Sequence, residues 1–110
     1  MEDFYATLES VKQCLHVDEP EWRKGKPKTK GEIMLLELMK EMARKDVSVE
    51  EFHEVMEDLR GFLDKEYDEP FFFYPGYKYL KIWVYEQEFR YSCFKAGGVP
   101  EWMKGCGITI

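Results

Sequence analysis

Apolar side chains recur at helical spacing along the first two thirds of this chain and crowd together along the last third. Phe4, Leu8, Val11 and Leu15 follow one another at intervals of four, three and four. That is one stripe of a helix, and it predicts a helix over residues 2–15. Pro20 and the Gly25/Pro27 pair then hold the chain in a loop. A second helix is predicted from about Glu32 to Arg44. It is apolar at Ile33, Leu35, Leu36, Leu38, Met39 and Met42, a band wide enough to be mostly buried. The third helix has the clearest start signal. Ser48 is a good N-cap, Glu51 stands three residues on, and Val47 and Phe52 are placed for a hydrophobic staple. Its inward stripe reads Phe52, Val55, Met56, Leu59 and Leu63, and Pro70 stops whatever reaches that far.

The remaining residues fit two patterns. Tyr77 to Tyr85 is dense in aromatic and β-branched side chains, as a strand is, and Phe89 to Phe94 is a ready partner across Glu86-Gln87-Glu88. That turn lacks Gly, Asn or Pro. A helix from Lys78 to Ala96 instead places Ile82, Tyr85, Phe89 and Cys93 on one face, with Gly97 as its stop. Propensity favours the hairpin. The expected fold class is therefore α+β: two to three N-terminal helices on a small C-terminal antiparallel hairpin, with an all-α fold as the alternative. The 110 residues make a single domain, helical over 1–68 and aromatic, β-rich over 69–110.

Charge divides the chain along similar lines. Residues 1–22 carry net -5, residues 23–30 carry five cations and no anion, residues 31–70 carry net -8, and residues 71–110 carry net +2 with 12 of the 18 aromatics. The net charge of -6 argues against a strongly basic nucleic-acid binder, though a local patch remains open. The 35% share of charged residues and the short apolar runs exclude a membrane-embedded protein. The acidic start has no apolar leader segment, and three cysteines at no framework spacing fit a reduced cytoplasm.

Few residues offer chemistry. Val47 to Phe52 resembles the exit of a calcium loop. However, placing Glu51 at the twelfth position puts Lys40, Met42, Arg44 and Lys45 where oxygen ligands and a glycine belong. Cys14, His16, Cys93 and Cys106 supply zinc-type donors at spacings that match structural sites poorly. His16 and His53 are the only histidines, and no nucleophile elbow or phosphate-binding glycine loop is present. The expectation is no catalytic residues, no metal and no cofactor.

Three surfaces are candidates for contact. Glu50, Glu54, Glu57, Asp58 and Asp64 fall on one side of the third helix. Four residues of helix rise about 6 Å, close to the phosphate spacing of a nucleic-acid strand. A rigid row of carboxylates therefore suits the basic nucleic-acid channel of another protein. Phe71, Phe73, Tyr77, Tyr79 and Trp83 form an aromatic patch, because alternate strand residues cannot all face one core, and a homodimer satisfies it as well as a foreign partner. Arg23, Lys24, Lys26, Lys28 and Lys30 form a basic loop that suits phosphates. The expected function is a non-catalytic inhibitor or immunity-type protein that docks on a partner protein, of the kind mobile elements use against host nucleases. That comparison is one of class rather than motif. The alternative is a small winged-helix-like regulator that binds nucleic acid through the loop.

Overall fold

The computed structural model describes residues 3–22, 25–67 and 74–97. Four helices make up the fold: α1 (Phe4–Val17), α2 (Lys30–Arg44), α3 (Val49–Tyr67) and α4 (Pro75–Lys95). Helix α1 packs on α2 and on α3, and α3 packs on α4. One cluster of buried side chains draws on all four helices.

The first three helices follow their stripes. Phe4, Leu8, Val11 and Leu15 of α1 are buried, as are Phe52, Val55, Met56, Leu59 and Leu63 of α3. In α2 the apolar band is buried except Ile33, which is half-exposed, and Met34, which lies at the margin of the core. The Ser48 hydroxyl accepts from the Glu51 N–H at 3.0 Å, as its N-cap position requires. A complete capping box stands at α2 instead. There Thr29 Oγ1 accepts from the Glu32 N–H, and Glu32 Oε1 accepts from the Thr29 N–H at 3.1 Å. The same Oε1 accepts from the Glu21 N–H at 2.9 Å. Glu32 is fully buried, and its charge is offset by these donors and by the positive end of the α2 dipole. It thereby gathers the α1–α2 connection onto the start of α2.

The C-terminal hairpin expected from Tyr77 to Phe94 is absent. That segment is one helix, α4, so the described fold is all-α. The aromatic and β-branched composition that favours strands measures fit to a half-buried pleated surface, and tertiary context overrides it. Three local devices support the helix. Pro75 opens it, where its missing N–H costs nothing. The Gly76 N–H donates to Glu19 Oε2 at 2.7 Å, placing a carboxylate at the positive end of the helix. At the far end the chain leaves through Gly97, whose φ is +84°.

Helix α4 straps the bundle between its two corners. Near its start, the Tyr77 hydroxyl donates to the Leu15 carbonyl at 2.5 Å, the Tyr77 ring stacks on Tyr67, and Trp83 packs on Trp22 at a tilt of 30° with ring centres 3.6 Å apart. Near its end, the Tyr91 hydroxyl donates to the Val47 carbonyl at 2.7 Å, and Lys95 pairs with Asp46 in the α2–α3 turn. Between them Glu88 accepts from Arg60 Nε at 2.7 Å and from Arg60 Nη2 at 3.1 Å, in a largely buried pair. Burial pulls the Arg60 pKa down, but the hydrogen bond and charge of Glu88, with Tyr85 and Glu57, hold it above its ordinary value. These contacts fix the rotation of α4. Tyr77, Leu80, Val84, Gln87 and Tyr91 turn inward, and Ile82, Tyr85 and Phe89 turn out.

Candidate interaction surfaces

The acidic side of α3 forms one wall of an open groove of about 740 Å³ against α1. Glu54, Glu57 and Asp58 line it, with Glu66 two further turns along. Tyr5 from α1 and Phe62 from α3 also contribute, and Lys12 crosses between the helices. The Lys12 ammonium lies 3.2 Å from Glu9 and 3.3 Å from Asp58, and it stands 5.6 Å from the centre of the Phe62 ring. A cation held over an aromatic face and between carboxylates shows what this groove favours. Partial burial, then the charges of Glu54, Asp58 and Glu51, push the Tyr5 phenol above its ordinary pKa.

The five predicted carboxylates do not act as one row. All are exposed. Asp64 turns toward α4, where Lys81 takes it. Glu57 lies 3.5 Å from His53 Nε2, and Asp58 is held by Lys12. Glu50 and Glu54 make no ion pair among the described residues. Helical spacing located the acidic side from α3 alone. Tyr5, Lys12 and Phe62 needed the α1–α3 packing, which no single-helix pattern contains.

Gly61 sits in the middle of this wall. A Cβ built there meets nothing within 4 Å, so packing within the chain does not require glycine. A glycine inside a helix costs about 1 kcal/mol relative to alanine. The groove is deeper at this point for want of a side chain, and the α3 backbone is open to close approach.

The aromatic patch is placed differently from its expectation. Phe71 and Phe73 lie outside the described residues. Tyr77 is buried and Trp83 is half-buried on Trp22, so neither presents a free face. Tyr79 is exposed. The exposed large apolar side chains of α4 are instead Ile82, Tyr85 and Phe89, together with Tyr79. A strand alternates with period two, whereas a helix turns every 3.6 residues, and that difference moved the surface by several positions.

Of the basic loop, Arg23 and Lys24 lie outside the described residues. Lys26, Lys28 and Lys30 are exposed and make no ion pair among the described residues. The winged-helix layout fails for want of a wing, since the described residues hold no strand. Cys14 Sγ lies 3.4 Å from Met34 Sδ, and His16 Nδ1 lies 2.7 Å from the Tyr67 hydroxyl. Cys93 is half-buried on α4, and Cys106 lies outside the described residues. Among the described residues no group of three or more His, Cys, Asp or Glu is placed to hold a metal ion. No described helix is long and apolar enough to cross a membrane. Comparison with protein-family models, with curated proteins and with solved structures gives no match.

Proposed function

We propose that this chain is a non-catalytic docking protein whose acidic α1/α3 groove receives a basic surface of a partner protein, such as the channel that otherwise holds nucleic acid. One observation carries the reading. Glu54, Glu57, Asp58 and Glu66, against Lys12 and Lys65, line a single open groove floored by Tyr5 and Phe62, and one of its cations, Lys12, already lies against Asp58 and over the Phe62 ring. An arginine or lysine from a partner finds the same chemistry there, a carboxylate beside an aromatic face. Gly61 supports the reading, since the bare backbone at mid-groove lets a partner come close. The negative field of the groove steers such a partner at long range and makes the encounter salt-sensitive.

The test uses immobilised protein and a set of purified nucleic-acid-binding proteins with basic channels. Retention that falls with added salt or competing duplex DNA, and that is lost in the Glu54→Lys, Glu57→Lys, Asp58→Lys triple variant, supports the reading. Equal retention by parent and triple variant sinks it. Gly61→Ala is a clean second probe. It raises stability by about 0.5–1 kcal/mol, so any loss of retention reflects the groove and not the fold.

A second reading places nucleic acid on the basic loop, and Lys26, Lys28 and Lys30, exposed and without an ion pair among the described residues, favour it. It requires that the chain bind bare DNA or RNA and that Lys26→Gln with Lys28→Gln abolish the binding.

A further inference from the structure

We propose that the outward face of α4 pairs two copies of this chain. Ile82, Tyr85 and Phe89 follow the three-four spacing of a helix–helix seam, and they are 55%, 54% and 71% exposed. The opposite side of α4 buries Leu80, Val84, Gln87 and Tyr91. A helix that is apolar on both sides lies between two layers; among the described residues α3 supplies one, and of the outward side it touches Tyr85, whose ring Arg60 covers on one face at 4.0 Å. Isolated apolar side chains on a surface need no explanation, but these three lie on consecutive turns with Tyr79 at their edge.

Charge points to a second copy as the occupant. Most ionic groups on the outer half of α4 are matched within the chain, Lys78 one turn before Ile82 being without an ion pair among the described residues. Arg90 pairs with Glu86 at 2.8 Å, Lys81 with Asp64, Lys95 with Asp46, and Glu88 with Arg60. A partner selected by charge has little to read there. The rest of the molecule is acidic, with a net charge of -6, so two copies repel least when they meet on this neutral face. Area agrees. Aromatic side chains bury about 150–250 Å² each, so the half-exposed seam and its edge offer on the order of 400 Å² of apolar surface per copy. Pairing two such faces buries about 800 Å² of apolar surface in total, the size of a weak, reversible contact rather than of an obligate one. The seam centres on Tyr85, so a two-fold axis there sets Ile82 of each copy against Phe89 of the other. No residue of the α1/α3 groove takes part, and both grooves stay open.

Sedimentation velocity on the full chain, from about 1 to 200 µM, tests the proposal. The expected result is a concentration-dependent species of twice the 13.2 kDa chain mass. It should persist or strengthen as salt rises, because its contact is apolar. Ile82→Glu and Phe89→Glu should each weaken dimerisation at least tenfold while leaving the helical circular dichroism of the parent intact. If either substitution disturbs the helix, Phe89→Ser reads the same contact more gently. A monomer at every concentration overturns the proposal, as it does if another segment of the chain or a foreign protein covers this face. A dimer that survives both glutamate substitutions, or that dissolves in salt, overturns it too and moves the contact to the charged surfaces.

Discussion

Gln87 is fully buried on the side of α4 that turns inward, and neither its amide oxygen nor its amide nitrogen finds a hydrogen-bond partner. A buried polar group left without partners costs about 1–3 kcal/mol. Gln87→Leu keeps most of the volume and removes both groups. The variant should gain about 1–2 kcal/mol, read as a higher urea midpoint at unchanged slope. Tyr91, one turn on, is buried with its partner satisfied, and its signature is in alkali. Burial, then the charges of Asp46 and Glu51, push its phenol up to about 12. In unfolded chains a tyrosine ionises near pH 10. Its contribution to stability is therefore whole below about pH 10. That contribution is lost on the way to about pH 12, where the unfolded chain gives up the proton and the folded one keeps it. Tyr91→Phe loses the bond to the Val47 carbonyl and about 1 kcal/mol at neutral pH. Its stability should then fall less steeply than the parent's between those two pH values, in denaturant titrations at fixed pH.

Among the helices, α4 depends most on a single backbone approach. A Cβ at Gly76 would stand 2.0 Å from the Pro20 carbonyl and 2.8 Å from the Glu19 side chain. The α1–α2 corner and the start of α4 cannot both stay in place around it. Gly76→Ala should therefore cost about 3 kcal/mol or more, seen as a lower thermal midpoint, despite alanine's better helix propensity. The same helix marks where sequence reading stopped. Stripes such as Phe4, Leu8, Val11, Leu15 need one periodicity and one core, and they announced α1 to α3. In α4 the most apolar stripe, Ile82, Tyr85, Phe89, points outward, and the buried one contains Gln87 and is interrupted in its apolar pattern. Local preference then favoured strands, and only the pull of α3 and of both corners settles the matter. Thr29 and Glu32 are a different miss: T-x-x-E ahead of an apolar run is a capping-box signal, yet the sequence reading rests on Ser48 and Glu51 instead.

At the scale of the whole molecule, the α1/α3 groove gathers four carboxylates against two lysines, Lys12 and Lys65. Glu54 has no ion pair among the described residues, and the potential it helps create reaches the Tyr5 phenol. Raising salt from about 0.05 to 0.5 M should screen the repulsion among those carboxylates and raise the unfolding midpoint. Glu54→Gln should raise it at low salt and flatten the salt dependence. The acidic side of α3 was visible in the sequence because five carboxylates share one helical face. Its depth was not, because a groove belongs to two helices that are about fifty residues apart in the chain.

The strap made by α4 also orders events in time. Its ties to the rest of the fold span long stretches of chain: 62 residues from Tyr77 to Leu15, 57 from Gly76 to Glu19, 44 from Tyr91 to Val47. Such distant closures form late, after the local turns have reduced the entropy of the loop they must close. During synthesis α4 also emerges after the other three helices. The nascent chain thus carries the uncovered flank of α3 until its final long helix arrives and locks both corners together. Amide protons of α4 should be the first to exchange in the native protein, through an opening that leaves α1 to α3 assembled.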